Sequence, residues 1–485
     1  MKKLLFTGYA LVISALIILL PLLLIFFYPQ EFFEIKYFLT PALIYLILGI
    51  YLIKTNEIKE ITLNKKQTML VIICLWLLLI FLLSIPFMLK PEYNFTQAIF
   101  ETTSGFSTTG LSIVNVEKAT HVLLMYRSIL LLIGGVGVVV IFMFAFSKVF
   151  DDGFFIQEGH EDIIIPKLKS TAKIICQMYL GYILLGTILY KIFGMSLFDA
   201  INHAIAAVST GGFSTHKDSI GYFNSIPIEI ITICLMILGS INFFLQYYVI
   251  TNRDIKSLFK DSETKLGLCI IYFSVILMTV VLCVEYNQPI FNTIRTSLFQ
   301  IVSALTTTGF QTLETFNHIP AAPFLILIIV MMIGGGLGST SGGIKLYRIV
   351  IFIKSIWKKL TLQTTNENKY IPQSINRGNK KIKITDDIII SSLYFIFIYL
   401  IVLIIGTFIL SLYGYPIGDC LFEMSSALSG VGLSTGICNP HAPSLVLWVL
   451  IVGMFLGRLE IIIVIIILIR TLKNIKRRIK GKCLR

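Results

Sequence analysis

Apolar residues along this chain fall in unbroken runs, not at the 3.6- or 2-residue spacing of a half-buried helix or strand. The runs lie at Leu4–Phe27, Tyr37–Ile53, Met69–Leu89, His121–Phe146, Lys173–Phe193, Ile226–Ile250, Leu266–Val284, Pro323–Ile353, Ile388–Leu412 and Pro443–Ile469. Several reach or exceed the roughly 20 residues that a helix needs to cross a bilayer core. Lipid offers no partner to a free backbone N–H or C=O, so such runs must close their own hydrogen bonds as helices. The pattern predicts ten spans and an all-α polytopic membrane protein. The first run is too long for a signal-peptide core and lacks a small-residue cleavage site, which makes it a retained span.

Between certain neighbours lie shorter segments that end in Gly- and Thr-rich loops: Tyr93–Gly110, Ser196–Gly212, Pro289–Gly309 and Pro416–Gly432. Too short to cross a bilayer, each reads as a re-entrant half-helix followed by a loop. Aligned on the last glycine, all four carry a hydroxyl three residues earlier: Ser107, Ser209, Thr306 and Ser429. All four also have two small residues five and six positions earlier: Ser104-Gly105, Ala206-Ala207, Ser303-Ala304 and Ser426-Ala427. A bulky apolar residue follows each glycine (Leu111, Phe213, Phe310, Leu433). Four matches roughly 100 residues apart, each between two spans, describe a repeat. The expected architecture is two N-terminal helices plus four span–pore-loop–span repeats around a pseudo-fourfold pore. Its divisions are residues 1–66 for the extra helices and 67–150, 151–260, 261–384 and 385–485 for the repeats.

Loops of this kind meeting on one axis suit a cation. A dehydrated cation needs oxygen ligands, and backbone carbonyls supply them without a permanent charge that would trap it. Glycine adopts cheaply the backbone angles that aim a carbonyl at an axis. Half-helices pointing inward would turn their negative C-terminal ends toward that axis. The same glycines could instead serve as helix hinges. Within the run Pro323–Ile353, the stretch Gly334-Gly-Gly-Leu-Gly-Ser-Thr-Ser-Gly-Gly343 disfavours a continuous helix. Broken backbone at that depth needs surrounding protein or a watery cavity. The stretch lacks the spacing of a phosphate-binding loop.

Charged and polar residues near these segments carry weaker signals. Arg458 lies inside the last apolar run, where an ionised group needs a cavity, a partner such as Glu460, or a route to an interface. Arg127 reads as an interface anchor, and Lys345 as a loop anchor or a boundary lysine. His216 sits near the external mouth without metal-ligand companions. Glu101 and Glu423 stand nine residues before their glycines, where the other repeats have His203 and Gln300. Helix packing, a surface role or a cation-attracting vestibule would each account for them.

Composition changes the picture only in detail. Hydrophobic residues make up 56% and charged residues 14%, too few charges to cover a soluble protein of 485 residues. The net charge of +14 would suit a nucleic-acid partner, but about 30 of the 40 Lys and Arg cluster in segments on one side of the alternating spans. Those segments are Lys2–Lys3, Lys54–Lys66, Lys167–Lys173, Arg253–Lys265, Lys354–Lys383 and the tail from Arg470. This is a topology signal: it places both termini in the cytoplasm and implies no nucleic acid. The eight cysteines show no metal or disulfide spacing, and those in apolar runs read as packing residues.

Residues 104–110, 209–216, 306–310, 333–345 and 457–460 together resemble the TrkH/KtrB superfamily of potassium transporters, and the two extra helices suit its TrkH branch. The resemblance implies potassium uptake across the cytoplasmic (inner) membrane by a multi-pass protein that is not an enzyme. It implies no bound cofactor, with potassium as substrate at a selectivity filter made of Thr108, Thr109, Gly110, Thr210, Gly211, Gly212, Thr307, Thr308, Gly309, Gly430, Val431 and Gly432. It also implies a gate made of Gly334, Gly335, Gly336, Gly338, Ser339, Thr340, Ser341, Gly342 and Gly343, with Arg458 as a barrier in the pore. Related plant transporters that carry sodium can have serine at the first filter position, so Gly110 favours potassium. Expected partners are a second copy of the chain, a cytosolic ring of nucleotide-binding (RCK/TrkA-like) regulatory subunits and membrane lipid.

Three other functions predict other patterns. An organic-solute or anion carrier predicts a two-half inverted repeat. A hydrolase would need Ser341 and His216 together, though they fall in different repeats. A non-conducting scaffold would need no matched loops.

Overall fold

The computed structural model describes residues 2–56, 65–146, 168–286, 289–313, 316, 319–364, 374–377 and 380–482. Parts of the basic segments at Lys54–Lys66, Lys167–Lys173, Lys354–Lys383 and the tail fall outside these residues.

The chain opens with α1 (Lys2–Leu19), continued by 3-10 turns to Glu34, and α2 (Ile35–Thr55). Repeat one follows as α3 (Lys65–Met88), the half-helix α4 (Phe95–Phe106) and α5 (His121–Phe146). Repeat two is α6 (Leu168–Ile192), the half-helix α7 (Leu197–Val208), α8 (Ile226–Ser240) and α9 (Phe243–Asn252). After the short α10 (Lys256–Lys260), repeat three comprises α11 (Ser262–Tyr286), the half-helix α12 (Ile290–Leu305), α13 (Ala321–Ile333) and α14 (Leu346–Thr364). An antiparallel hairpin, β1 (Ser374–Arg377) with β2 (Lys380–Lys383), leads to repeat four. That repeat is α15 (Asp386–Ser411), the half-helix α16 (Ile417–Ser429), α17 (Ser444–Arg458) and α18 (Ile461–Lys482).

The half-helices begin where local chemistry starts them. Asn94 and Gln97 form a reciprocal capping box on α4, and the Ser196 side chain accepts from the Asp199 N–H on α7. Pro289 and Pro416 precede α12 and α16.

The repeats close into a ring. The outgoing helix of each packs on the half-helix of the next: α5 on α7, α8 on α12, α13 on α16, and α17 back on α4. The two N-terminal helices dock outside repeat one, where α1 touches α3 and the turn after α1 touches α5. Glu31 in that turn accepts from the backbone N–H groups of His121 and Val122, so it caps α5 from another element. Glu34 pairs with buried Lys90 at 2.6 Å.

One expectation needs correction. Among the described residues six helices are long and apolar enough to cross as continuous spans, but the outgoing helix of every repeat is broken. Gly137 takes φ +81° inside α5, α8 and α9 meet at 103°, and α17 and α18 also meet at 103°. The connection 334–345 separates α13 from α14. Each break falls 25 to 29 residues after the loop glycine (110 to 137, 212 to 241, 309 to 334, 432 to 459), hence at a common depth. The break at 334–345 was foreshadowed by its glycines, but at the other three apolar composition on both sides hid it, because hydropathy measures solvent and not direction. A second correction concerns cysteine: Cys74, Cys234 and Cys269 are exposed on the outer faces and do not pack internally.

Candidate functional site

The four loops after α4, α7, α12 and α16 share one backbone construction. In each, the N–H one residue before the last glycine donates to a carbonyl five residues back: Thr109 to Ser104, Gly211 to Ala206, Thr308 to Ser303 and Val431 to Ser426, at 2.9–3.0 Å. The preceding N–H donates three residues back: Thr108 to Gly105, Thr210 to Ala207, Thr307 to Ala304 and Gly430 to Ala427, at 3.1–3.3 Å. These paired bonds are Schellman caps, which require a left-handed residue just past the helix end. That residue is Thr108 (φ +55°), Thr210 (+52°), Thr307 (+54°) and Gly430 (+70°). The two small residues seen in every repeat are the acceptors of the cap.

The last glycines also take positive φ: Gly110 +89°, Gly212 +62°, Gly309 +83° and Gly432 +95°. At each, a Cβ would run into the carbonyl of the residue before the next loop's glycine: Gly110 into Gly211, Gly212 into Thr308, Gly309 into Val431, and Gly432 into Thr109. The contacts return to their start. The twelve residues expected to line a filter therefore surround one axis, with the C-terminal ends of four half-helices aimed at it.

Nine residues before each glycine, a buried polar side chain ties down the outward limb. Glu101 accepts from Ser112, His203 bonds Ser214, and Glu423 accepts from Ser434, all at 2.9 Å; Gln300 reaches Thr312 at 3.5 Å. Glu101, His203, Gln300 and Glu423 are fully buried, so a surface or vestibule role is excluded for them. Arg127 is likewise no interface anchor. It is buried, pairs with Glu101 at 2.7 Å, donates to Ser112 Oγ at 2.8 Å and to the Ser214 carbonyl at 3.4 Å, and lies 4.0 Å over the Phe213 ring. One guanidinium thus fastens the first loop to the second. His216 stacks on Tyr222 at 3.7 Å and pairs with Asp199 at 3.4 Å.

Directly beneath the ring lies the non-helical connection 334–345. Gly334, Gly338 and Gly343 have positive φ, as does Lys345. Gly336 N–H donates to Ser240 O, Gly338 O accepts from Phe243 N–H, and Thr340 N–H donates to Gly239 O, so the loop seats in the break between α8 and α9. Its top touches the ring of loops. Thr340 Oγ1 meets Thr210 Oγ1 at 3.2 Å, Gly342 N–H donates to Thr307 Oγ1 at 2.8 Å, and a Cβ on Gly342 would collide with the Ser429 carbonyl. Ser339 and Ser341 bond each other at 2.6 Å, and a Cβ on Gly335 would meet Ser341 Oγ.

Arg458 reaches across from the end of α17. It donates to the Thr340 carbonyl at 2.8 Å and to the Gly134 carbonyl at 2.5 Å. Glu460 pairs with Arg348 at 2.5 Å, and that guanidinium stacks 3.8 Å over Phe395, so the anticipated Arg458–Glu460 pair is not the arrangement found. The cavity lined by Gly135, Ser341, Lys345, Arg458 and Glu460 holds about 30 Å³, room for a water or two.

Sequence reasoning missed Glu263, which sits in the first turn of α11 and accepts from the Leu337 N–H of this loop at 2.7 Å. A carboxylate entering an apolar run was its signal. Among the described residues no cluster of three or more His, Cys, Asp or Glu side chains could hold a metal ion.

The family model of the TrkH cation transport proteins matches residues 36–475. The Trk system potassium uptake protein TrkG of Escherichia coli is 29% identical over 485 residues, covering 95% of this chain and 96% of its own length. An uncharacterized cation transporter of Methanocaldococcus jannaschii is 29% identical, covering 91% of this chain and 90% of its own. The crystal structure of the potassium transporter TrkH from Vibrio parahaemolyticus superposes with a TM-score of 0.85 at 25% identity, over 96% of this chain and 98% of that one.

Proposed function

The chain belongs to the TrkH family of cation transport proteins, not to a family of enzymes, and we propose that it takes up potassium through the ring of four loops. The observation that carries the reading is the cyclic closure of the four loops, glycine against carbonyl, around one axis. Four relatives named as potassium uptake proteins or transporters, from three genera, support the choice of ion. Potassium would shed water against the carbonyls of Thr108–Gly110, Thr210–Gly212, Thr307–Gly309 and Gly430–Gly432, at the negative ends of four half-helices. Potassium is the substrate, and no cofactor enters the mechanism.

Residues 334–343 then act as the gate. Thr340 and Gly342 contact residues of the loop ring from below, and Arg458 adds a positive charge under a cation path while pinning the Thr340 carbonyl. Opening requires this loop to leave the axis. The distribution of Lys and Arg supports an inner-membrane protein with both termini in the cytoplasm. Two copies of the chain, each with its own pore, and a cytosolic nucleotide-binding ring of RCK/TrkA type complete the reading. Nucleotide control would come from that ring.

The test is potassium and sodium flux into liposomes holding the purified protein, with Gly110→Ser in parallel. Potassium flux well above sodium flux, with the difference reduced by the substitution, is the expected result. Absence of cation flux with the regulatory partner supplied would overturn conduction.

A further inference from the structure

We propose that the hairpin between α14 and α15 is a lever that holds the gate loop shut, and that Glu263 and Arg377 are its joint. The proposal rests on the gate reading above and adds the element that controls it. Glu263 is buried, and its two carboxylate oxygens face different parts of the molecule. Oε2 accepts from the Leu337 N–H inside the gate loop at 2.7 Å. Oε1 faces the Nε of Arg377 at 3.9 Å, and Arg377 is the last residue of β1. The Arg377 guanidinium also stands 5.4 Å from the ring of Tyr347, two residues beyond the end of the gate loop.

The hairpin is fastened at this same corner. Asn376 N–H donates to Ser262 Oγ at 3.1 Å, beside Glu263, and Lys354 Nζ donates to the Ser374 carbonyl at 2.6 Å. Ile375 is buried in a small apolar cluster with Val350 and Ile351, against which Leu266 and Tyr347 pack. Strand β1 therefore braces α14, which follows the gate loop, and α11, whose Glu263 holds the Leu337 N–H.

The physics of a buried carboxylate makes this joint responsive. Out of water, Glu263 is tolerable as an anion because a backbone N–H and a guanidinium share its charge. Withdrawing β1 removes the guanidinium and leaves a buried anion with part of its compensation gone. The carboxylate then turns toward water or takes up a proton, and a neutral carboxyl accepts from Leu337 more weakly than the anion. Either response loosens the gate loop. Anything that draws the hairpin away, a cytosolic partner seated on it included, would thereby favour the open pore, through a coupling free energy between two separate sites.

The experiment measures potassium and sodium flux in liposomes for the full chain without partner, comparing wild type, Arg377→Gln, Glu263→Ala, Arg458→Gln and the pair Ser262→Cys/Asn376→Cys. Glu263→Ala is expected to raise basal potassium flux by roughly tenfold, the factor carried by the lost charge-assisted hydrogen bond from Leu337, and Arg377→Gln to raise it in the same direction by less, since it removes an ion pair and no hydrogen bond. Their potassium-to-sodium ratio stays that of wild type, since the loops of the filter are untouched. Oxidising the cysteine pair ties the hairpin down and lowers flux below the reduced level, and reductant restores it. A merely structural contact would give no such reversible dependence. If Arg458→Gln leaks while both point variants and the oxidised pair match wild type, the lever is overturned and the gate reading survives. If no protein in the set passes any cation without partner, the lever is overturned; if none does even with the regulatory partner supplied, conduction falls with it.

Discussion

Two glycines in the fourth loop give opposite expectations although they stand two residues apart and both have positive φ. Gly432 closes the ring: a Cβ there meets the Thr109 carbonyl and the backbone of Gly110, and neither is a side chain that can swing aside. Gly432→Ala must therefore push the first loop outward. If that displacement costs the favoured ion about 1.4 kcal/mol of coordination, discrimination falls tenfold. Gly430, in contrast, has a single neighbour near its missing Cβ, Thr109 Oγ1 at 3.8 Å, an ordinary contact. Its φ of +70° lies close to the +52° to +55° that threonine already adopts in the other three loops. Gly430→Thr would cost about 1–2 kcal/mol of left-handed strain and complete a set of four threonines at the inner end of the loop ring. The assay is potassium and sodium flux in liposomes, paired with thermal unfolding in detergent. The expected outcome is a selective, slightly less stable Gly430→Thr and a folded but poorly selective Gly432→Ala. A selective Gly432→Ala, or a Gly430→Thr that loses selectivity while still folded, would refute the steric argument.

Two further outcomes follow from single side chains. Arg458→Gln removes hydrogen bonds from a charged donor to the Thr340 and Gly134 carbonyls, each worth roughly 1.5–3 kcal/mol, so basal flux in liposomes should rise at least about tenfold; an unchanged rate would count against a pinned loop. Arg127→Met strands the buried Glu101 carboxylate and should cost about 3–5 kcal/mol in unfolding measurements, whereas Arg127→Met/Glu101→Gln should recover much of it; a double variant as unstable as the single one would contradict the pairing.

Much of the architecture was legible because it is repeated. The half-helix segments anticipated at 93–110, 196–212, 289–309 and 416–432 contain the observed helices at Phe95–Phe106, Leu197–Val208, Ile290–Leu305 and Ile417–Ser429. The paired small residues were visible as a pattern, but their part in the helix cap appears only once the hydrogen bonds are drawn. Gly430 looked like a departure from a threonine-rich pattern. In the structure it conforms most easily, since glycine takes without strain the angle that threonine is forced into at Thr108, Thr210 and Thr307. What could not be read was direction and distant pairing. The bends after Ser240 and Arg458 lie within apolar runs whose hydropathy is the same on either side. Arg127 and Glu101 are 26 residues apart, and only the turn of the chain through the first loop brings them together.

The ring is built from four versions of one unit joined in a single polypeptide, and this permits what four identical subunits could not. A rotationally symmetric tetramer would carry every feature in quadruplicate. Four copies of a twelve-residue connection could not occupy one axis, and four arginines aimed at one centre would repel one another. Covalent fusion lets each quarter specialise. Among the described residues, the third repeat supplies the non-helical segment beneath the ring, the fourth the arginine that grips it, and the first the arginine that fastens two neighbouring loops. Mutations can then accumulate in one quarter at a time, so that on the proposed reading closure is adjusted without forcing the same change on the rest of the circle.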